Sequence, residues 1–196
     1  MRKTVITAIL IIITAVFSGC SQTGIEQRGI IEGVIIDNTD KGEISYTFSM
    51  FDESQDNKDS LKTIKSKNID DALSSLEKAT GKVSFWGQCE YIVLAFNTFD
   101  NAYETLRFFT DNNKIPPDIT VAFADKNAVK LLQTEKQQPS LILSEAEKVS
   151  LSNNKVRTTL MQLVSDYIDN KRVASVCLFK NESKSLTCSQ AVLQKK

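Results

Sequence analysis

Two patterns of hydrophobic and polar positions organise the chain just after residue 28. Residues 29–37 are rich in Ile and Val and apolar on both faces, which is typical of a buried β-strand. Residues 43–51 alternate between large apolar and mostly small polar side chains, and an Asn/Asp/Gly turn separates the two runs. Two such runs around a turn predict a β-hairpin, which residues 61–67 extend by a third short strand. The apolar face of the second run consists of Ile44, Tyr46, Phe48 and Met50.

A helical spacing of apolar residues replaces this alternation from residue 68 onwards. Asn68 or Asp70 can cap a helix at its start, and Gly81 can end it. The apolar residues in between fall on one helix face, and they are Ala72, Leu73, Leu76 and Ala79. The pattern predicts one amphipathic helix, followed by an aromatic corner at residues 83–88.

Strands and helices alternate in the middle of the chain. Continuous apolar runs at residues 91–96 and 119–124 predict two buried strands. Asn97 and Asp125 follow these runs, and each can cap a helix. The first of these helices carries a stripe of Phe99, Ala102, Leu106 and Phe109, and the second carries Ala128, Val129, Leu131 and Leu132. A strand–helix–strand–helix order is typical of parallel α/β packing.

The last third of the chain predicts further elements of both kinds. They are a turn at residues 137–140, helices at 141–151 and 156–168, and strands at 173–179 and 186–193. We therefore expect an α+β (mixed α/β) fold, in which small mixed sheets with packed helices form two small subdomains.

The predicted domain organisation has four parts. Residues 1–19 are a lipoprotein signal peptide, and residues 20–28 are a lipidated tether. Residues 29–82 form a hairpin-plus-helix unit, and residues 83–196 form an α/β unit. The alternative is that residues 29–196 are one region.

The signal prediction depends on the first twenty residues. A short positive start precedes an apolar run at residues 5–17, which is shorter than the roughly 20 residues that span a bilayer. The run leads into Ser18-Gly19-Cys20, which resembles a bacterial lipobox, although Phe17 stands where an aliphatic residue is usual. We predict that Cys20 receives a diacylglycerol and anchors the protein to a membrane. The alternative is an ordinary signal peptide that is cut nearby.

Charge is balanced over the chain, with 24 Lys and Arg against 24 Asp and Glu. Removal of residues 1–19 takes two of the 24 basic residues and no acidic ones, which leaves 22 against 24. A chain without a basic excess or a long basic run lacks the footprint of a nucleic-acid-binding protein. We expect no nucleic-acid partner.

Three cysteines remain after the proposed anchor. Cys177 and Cys188 lie on two predicted neighbouring strands and can pair in an export compartment that permits disulfides. The alternative for each is a small buried thiol. Cys89 is left free in either case, because the count is odd.

The chain contains no histidine, and this absence excludes several chemistries. Ser-His-Asp and Cys-His nucleophile activation are both ruled out. Scattered cysteines do not make a structural zinc site, and no glycine-rich phosphate loop is present. We predict that the protein is not an enzyme and has no metal and no cofactor.

Two acidic pairs, Asp70-Asp71 and Asp52-Glu53, invite a role in acid–base chemistry. Their settings, a helix start and a polar loop, favour capping and solvation instead. The corner at Phe85, Trp86 and Gly87 is the one unusual surface candidate. A lone Trp beside a Gly more often fills a core than binds a ligand, and both roles stay open for this corner.

Five stretches of the chain, taken in order, resemble one known family. The first four are the lipobox, the opening strand with its turn and hairpin, the helix after residue 68, and the aromatic corner with the apolar strand that follows it. The last is the series Phe108-Phe109-Thr110-Asp111, Ala122-Phe123-Ala124-Asp125-Lys126 and Pro139-Ser140-Leu141-Ile142-Leu143-Ser144. This order is similar to that of the C subunits of bacterial spore-germination receptors, the GerAC-type lipoproteins. This chain departs from the family pattern in two places. Ser21-Gln22-Thr23 stands where the family has an aromatic-Asp pair, and Gln88 stands where it has the corner histidine.

The resemblance implies a place and a set of partners. It implies a lipid-anchored protein on the outer face of the spore's inner membrane, where it assembles with membrane-embedded A-type and B-type receptor subunits. The family's chains are nearly twice as long, so we expect the family's C-terminal domain to be absent here. A stand-alone ligand-binding lipoprotein, with the Trp86 corner as its pocket, is the alternative function.

Overall fold

The structure is a computed structural model that describes most of the chain after its first 23 residues. The described residues are 24–39, 42–52, 58–95, 102–134, 139–152, 158–168, 173–182 and 185–194. Within these ranges the chain forms eight strands, five α-helices and a short 3₁₀ turn at Ile25–Gln27. No helix in these ranges is long and apolar enough to cross a membrane.

The elements follow the predicted order. The strands are β1 (Arg28–Asn38), β2 (Ile44–Asp52), β3 (Lys58–Ser66), β4 (Val83–Phe85), β5 (Tyr91–Ala95), β6 (Thr120–Ala124), β7 (Val173–Glu182) and β8 (Ser185–Gln194). The helices are α1 (Ile69–Thr80), α2 (Ala102–Asp111), α3 (Lys126–Thr134), α4 (Pro139–Ser152) and α5 (Leu160–Ile168).

All eight strands belong to one mixed sheet, in the order β3-β2-β1-β5-β6-β7-β8, with β4 paired to the start of β1. The strands β3, β2 and β1 are antiparallel, β1, β5, β6 and β7 are parallel, and β8 returns antiparallel at the far edge. The α+β class is confirmed. The small mixed sheets that the sequence predicts are one sheet in the structure, in which β1 pairs directly with β5.

Helices cover both faces of the sheet and build two layers of core. On the first face, α1, α2 and α5 cover large side chains of the sheet such as Phe48 and Phe123, and Phe109 of α2 is buried with them. On the second face, α3 and α4 cover smaller ones, including Ala122, Ala124 and Val93. Small side chains on a strand allow a helix to approach closely, and large ones fill the wider space beneath three helices.

The polar face of β2 is buried as well. Thr47 and Ser49 are only 1% exposed. The Thr47 and Thr63 hydroxyls share a 3.0 Å hydrogen bond between β2 and β3, and the Gln133 amide of α3 donates to the Thr47 hydroxyl at 3.0 Å. The Thr47 hydroxyl can be buried here because these two bonds satisfy it.

Helix ends were predicted well where a cap residue marks them. Asn68 caps α1 by accepting from the Asp71 backbone N–H at 2.8 Å, and Gly81 ends it in the left-handed conformation. Asp125 caps α3 by accepting from the Ala128 N–H at 2.7 Å. The predicted cap Asn97 and stripe residue Phe99 lie outside the described residues.

Three predicted boundaries in the last third need correction. Pro139 and Ser140 are the first residues of α4 and not part of a turn, since Pro is well suited to a helix start. The helix α5 begins only at Leu160, because Thr159 bridges to Thr120 at the start of β6. The strands β7 and β8 extend into the predicted loop, up to Glu182 and from Ser185.

Candidate functional site

Trp86 of the aromatic corner points into the core and is 3% exposed. Its ring meets Phe109 edge-on at 5.7 Å between centroids, and it makes similar contacts with Phe48 at 6.3 Å and Phe108 at 6.4 Å. Such edge-to-face pairs add to the free energy gained by burial. Trp86 therefore joins the sheet to α2 within the core.

The residues on either side of Trp86 face outward. Phe85 is half-buried, and the Arg28 guanidinium lies over its ring at 5.1 Å from the centroid. Gly87 is exposed, and a Cβ there would lie 2.6 Å from the end of the Phe85 ring, so a larger residue would require that ring to shift. The chain then turns, and the Cys89 N–H donates to the Trp86 carbonyl at 2.9 Å. This turn brings Gln88 to the surface beside the start of β5.

A cleft of about 530 Å³ lies next to this turn. It opens at the edge of the sheet where β5 and β6 begin, and its walls include Gln88, Tyr91 and Thr120. Leu143 and Ser144 of α4 close it on the second face of the sheet. A concave site of this size is the usual setting for a small ligand.

Three carboxylates line the cleft: Glu32 in β1, Glu90 just before β5 and Asp118 just before β6. Backbone hydrogen bonds join the chain segments that carry them, because the Glu90 N–H donates to the Glu32 carbonyl at 2.8 Å and the Thr120 N–H donates to the Glu90 carbonyl at 3.0 Å. No local sequence pattern predicts that these three residues form a group. They are far apart in the chain, and only the order β1-β5-β6 places them side by side.

Cys89 lies at the inner end of the cleft and is 4% exposed. Burial, with a smaller contribution from the nearby carboxylates of Glu90 and Glu32, raises the pKa of its thiol from an ordinary 9.0 to about 12. The thiol is therefore protonated at neutral pH and is a poor nucleophile.

Ionisation of this thiol is expected to lower the free energy of unfolding at alkaline pH. The thiol has a higher pKa in the folded protein than in the unfolded chain. Its contribution to the free energy of unfolding is therefore complete below pH 9 and is lost as pH rises toward 12. Between pH 8 and pH 10.5 we expect wild type to lose about 2 kcal/mol more free energy of unfolding than Cys89→Ala. Urea unfolding at both values measures this. Tyr46, whose pKa burial also raises to about 12, is present in both proteins and cancels in the comparison. Equal pH dependence in the two proteins would contradict the prediction.

Asp70 and Asp71, one of the acidic pairs singled out in the sequence, do not line this cleft, whereas Gly87 of the aromatic corner does. Cys20 and most of the loop after Asp52 lie outside the described residues. Asp71 lies in the first turn of α1, where its carboxylate accepts a hydrogen bond from the Asn68 side-chain amide at 2.9 Å. Among the described residues, no group of three or more Cys, Asp or Glu side chains is arranged to hold a metal.

Cys177 and Cys188 lie on the paired strands β7 and β8, as predicted. Their backbone register is offset, however, since Cys177 is opposite Gln190 and Cys188 is opposite Phe179. Such diagonal positions are about 7–8 Å apart, whereas the Cα atoms of a disulfide are usually about 4.4–6.8 Å apart. The register disfavours the disulfide, which stays a prediction.

Comparison with known proteins identifies the family. The family model described as the spore germination protein N-terminal domain matches residues 21–180. The chain belongs to this family. The matched region of the germination protein crosses the boundary predicted at residue 82 and includes both the aromatic corner and the acidic cleft. No curated protein and no solved structure matches the chain.

Proposed function

We propose that this germination protein is a lipid-anchored subunit of a nutrient-germinant receptor, on the outer face of the spore's inner membrane. The observation that carries the proposal is the family match over residues 21–180, directly after a lipobox-like segment. A diacylated Cys20 supplies enough buried methylene groups for stable anchoring. The partners are the membrane-embedded A-type and B-type subunits.

The proposed role is assembly and not catalysis. A chain without histidine lacks the residue that most often acts as a general base near neutral pH. The Cys89 thiol, whose pKa burial raises, is a poor nucleophile. These properties support a subunit that acts through protein–protein contacts.

Co-purification from spores tests both the anchor and the partners. The tagged chain is recovered from detergent-solubilised spore inner membrane, in parallel with Cys20→Ala and with Thr23→Ala as a control in the same tether. We expect wild type and Thr23→Ala to recover multi-spanning receptor subunits. We expect Cys20→Ala to lose at least about 90% of its membrane-bound fraction, because a single residue provides the anchor.

Each outcome of this experiment has a distinct meaning. Absence of the chain from spores, or recovery without any receptor subunit, would refute the receptor role. Unchanged membrane binding of Cys20→Ala would refute the anchor.

The cleft favours a second candidate, a stand-alone ligand-binding lipoprotein. The structure changes where its pocket would lie, since Trp86 is in the core and Gln88 lines the cleft. Recovery of the lipoprotein without receptor subunits, together with ligand binding in this cleft, would favour the alternative.

A further inference from the structure

We propose that the edge of the sheet at which β1 begins faces the membrane and contacts it through exposed apolar side chains. The proposal rests on the proposed lipid anchor at Cys20, and it adds which side of the protein meets the membrane. The partner is the surface of a phospholipid bilayer, at the boundary between headgroups and acyl chains.

A short tether holds this edge of the sheet close to the anchor. Cys20 and Gly24 are four residues apart, and even a fully extended chain of that length spans at most about 14 Å. The Gly24 carbonyl then accepts from the Gln27 N–H at 3.0 Å in a compact turn, and β1 starts directly afterwards at Arg28. The start of β1 is therefore within roughly 20 Å of the anchor, whereas the other end of this strand lies about 30 Å from its start.

Four strands begin on the side of the sheet from which the tether leaves. The strand β1 pairs in parallel with β4 and β5, and β5 pairs in parallel with β6. We call the side at which these four strands start the tether edge, and the acidic cleft opens there. The carboxyl ends of the strands form the opposite edge, where Lys130 of α3 and Asp37 at the end of β1 line one shallow depression.

Three large apolar side chains among the described residues are more than half exposed, and all three lie at the tether edge. Val83 is 53% exposed and pairs with the first residue of β1. Met161 is 56% exposed, and its N–H donates at 3.2 Å to the carbonyl of Pro117, just before β6. Leu141 is 56% exposed and follows Ser140, which lines the cleft. Exposed apolar residues that gather on one side of a protein mark an interaction surface.

The position of the anchor identifies the bilayer as the partner of this surface. Removal of apolar side chains from water is favourable in proportion to the area covered. The anchor makes this contact intramolecular, so that a few weakly binding side chains are enough to orient the protein. Charges of both signs lie at the same edge, since Arg28 and Lys82 are accompanied by Glu26 and the carboxylates of the cleft. We therefore assign the contact to the apolar side chains and not to attraction by anionic lipids.

Lysine labelling of the mature lipidated protein tests the orientation. The protein is attached through its own anchor to vesicles of pure phosphatidylcholine, and acetylation of each lysine is followed by mass spectrometry. Cys20→Ala with the same vesicles is the unattached reference. We expect acetylation of Lys82, beside Val83 at the tether edge, to be at least about threefold slower than in the reference. Lys130 at the opposite edge is expected to react equally in both proteins.

Removal of the apolar side chains separates their contact from the effect of the anchor alone. The triple variant Val83→Ser/Leu141→Ser/Met161→Ser keeps Cys20 and is expected to stay on the vesicles. Its Lys82 acetylation is expected to return to within about 1.5-fold of the reference rate. Lys126→Gln changes an exposed residue at the opposite edge and is expected to keep the protection of Lys82. Circular dichroism shows whether each variant is folded, and the three single variants decide if the triple variant is not.

Sedimentation with the vesicles distinguishes failure of the anchor from failure of the orientation. Wild type that does not sediment with the vesicles would refute the anchor, and the orientation with it. Attached wild type in which Lys82 reacts as in the reference, or equal protection in the triple variant, would overturn the orientation and leave the anchor intact. Protection of Lys82 in spore membrane but not on vesicles would assign the tether edge to a protein and exclude the bilayer as its partner.

Discussion

Replacement of Trp86 by Ala is expected to lower the free energy of unfolding by about 3–5 kcal/mol. The substitution leaves a cavity between the sheet and α2, because the indole ring contacts Phe48, Phe108 and Phe109. A loss of this size is a large fraction of the total stability of a typical domain. Urea unfolding must be followed by far-ultraviolet circular dichroism, since Trp86 is the only tryptophan.

The neighbouring aromatic residue provides the matched control for this prediction. Phe85 is half-buried, so Phe85→Ala is expected to cost clearly less than Trp86→Ala. A cost below about 1 kcal/mol for Trp86→Ala, which is typical of surface positions, would show that the ring is not part of the core.

Gly33→Ala is expected to destabilise the protein by about 3 kcal/mol, although it adds only one methyl group. Gly33 in β1 lies opposite Tyr91 in β5, and a Cβ at residue 33 would overlap the tyrosine ring. Both residues are buried between packed strands, so neither can move away without disturbing the sheet. Thermal or urea unfolding measures the effect.

Two further variants separate this overlap from a general effect of replacing glycine. Gly24→Ala has no atom within 4 Å of the added methyl and is expected to change stability by less than about 0.5 kcal/mol. In a Tyr91→Ala background, Gly33→Ala is expected to cost far less than in wild type, because the ring is gone. Additive costs in the double variant would exclude the overlap as the cause.

Much of the secondary structure could be predicted because local signals determine it. The helix α1 begins at Asn68 and ends at Gly81 for reasons that lie within a few residues of each end. The alternation in β2 likewise places Tyr46 and Phe48 on one face without reference to the rest of the fold. The helix α5 could not be delimited in this way, because its start depends on a bridge between Thr159 and Thr120 in β6.

Long-range pairing explains what the sequence could not predict. The sequence contains no signal that β1 pairs with β5, so it leaves open whether residues 29–196 form two units or one region. The acidic cleft depends on the same pairing, since Glu32, Glu90 and Asp118 meet only when β1, β5 and β6 are adjacent. The aromatic corner was found from its composition, but composition does not show that Trp86 points inward and Gln88 outward.

The central position of β1 also has a consequence for how the protein folds. This strand is made early, yet its partner β5 follows almost sixty residues later, as the pair Gly33 and Tyr91 shows. The hairpin with β2 can form quickly, whereas closing the long loop to β5 is slow. Until then, one edge of β1 with its Ile and Val side chains has no neighbouring strand. An unpaired apolar edge of this kind is prone to aggregate, so yield during synthesis should depend on how soon residues 91–95 become available.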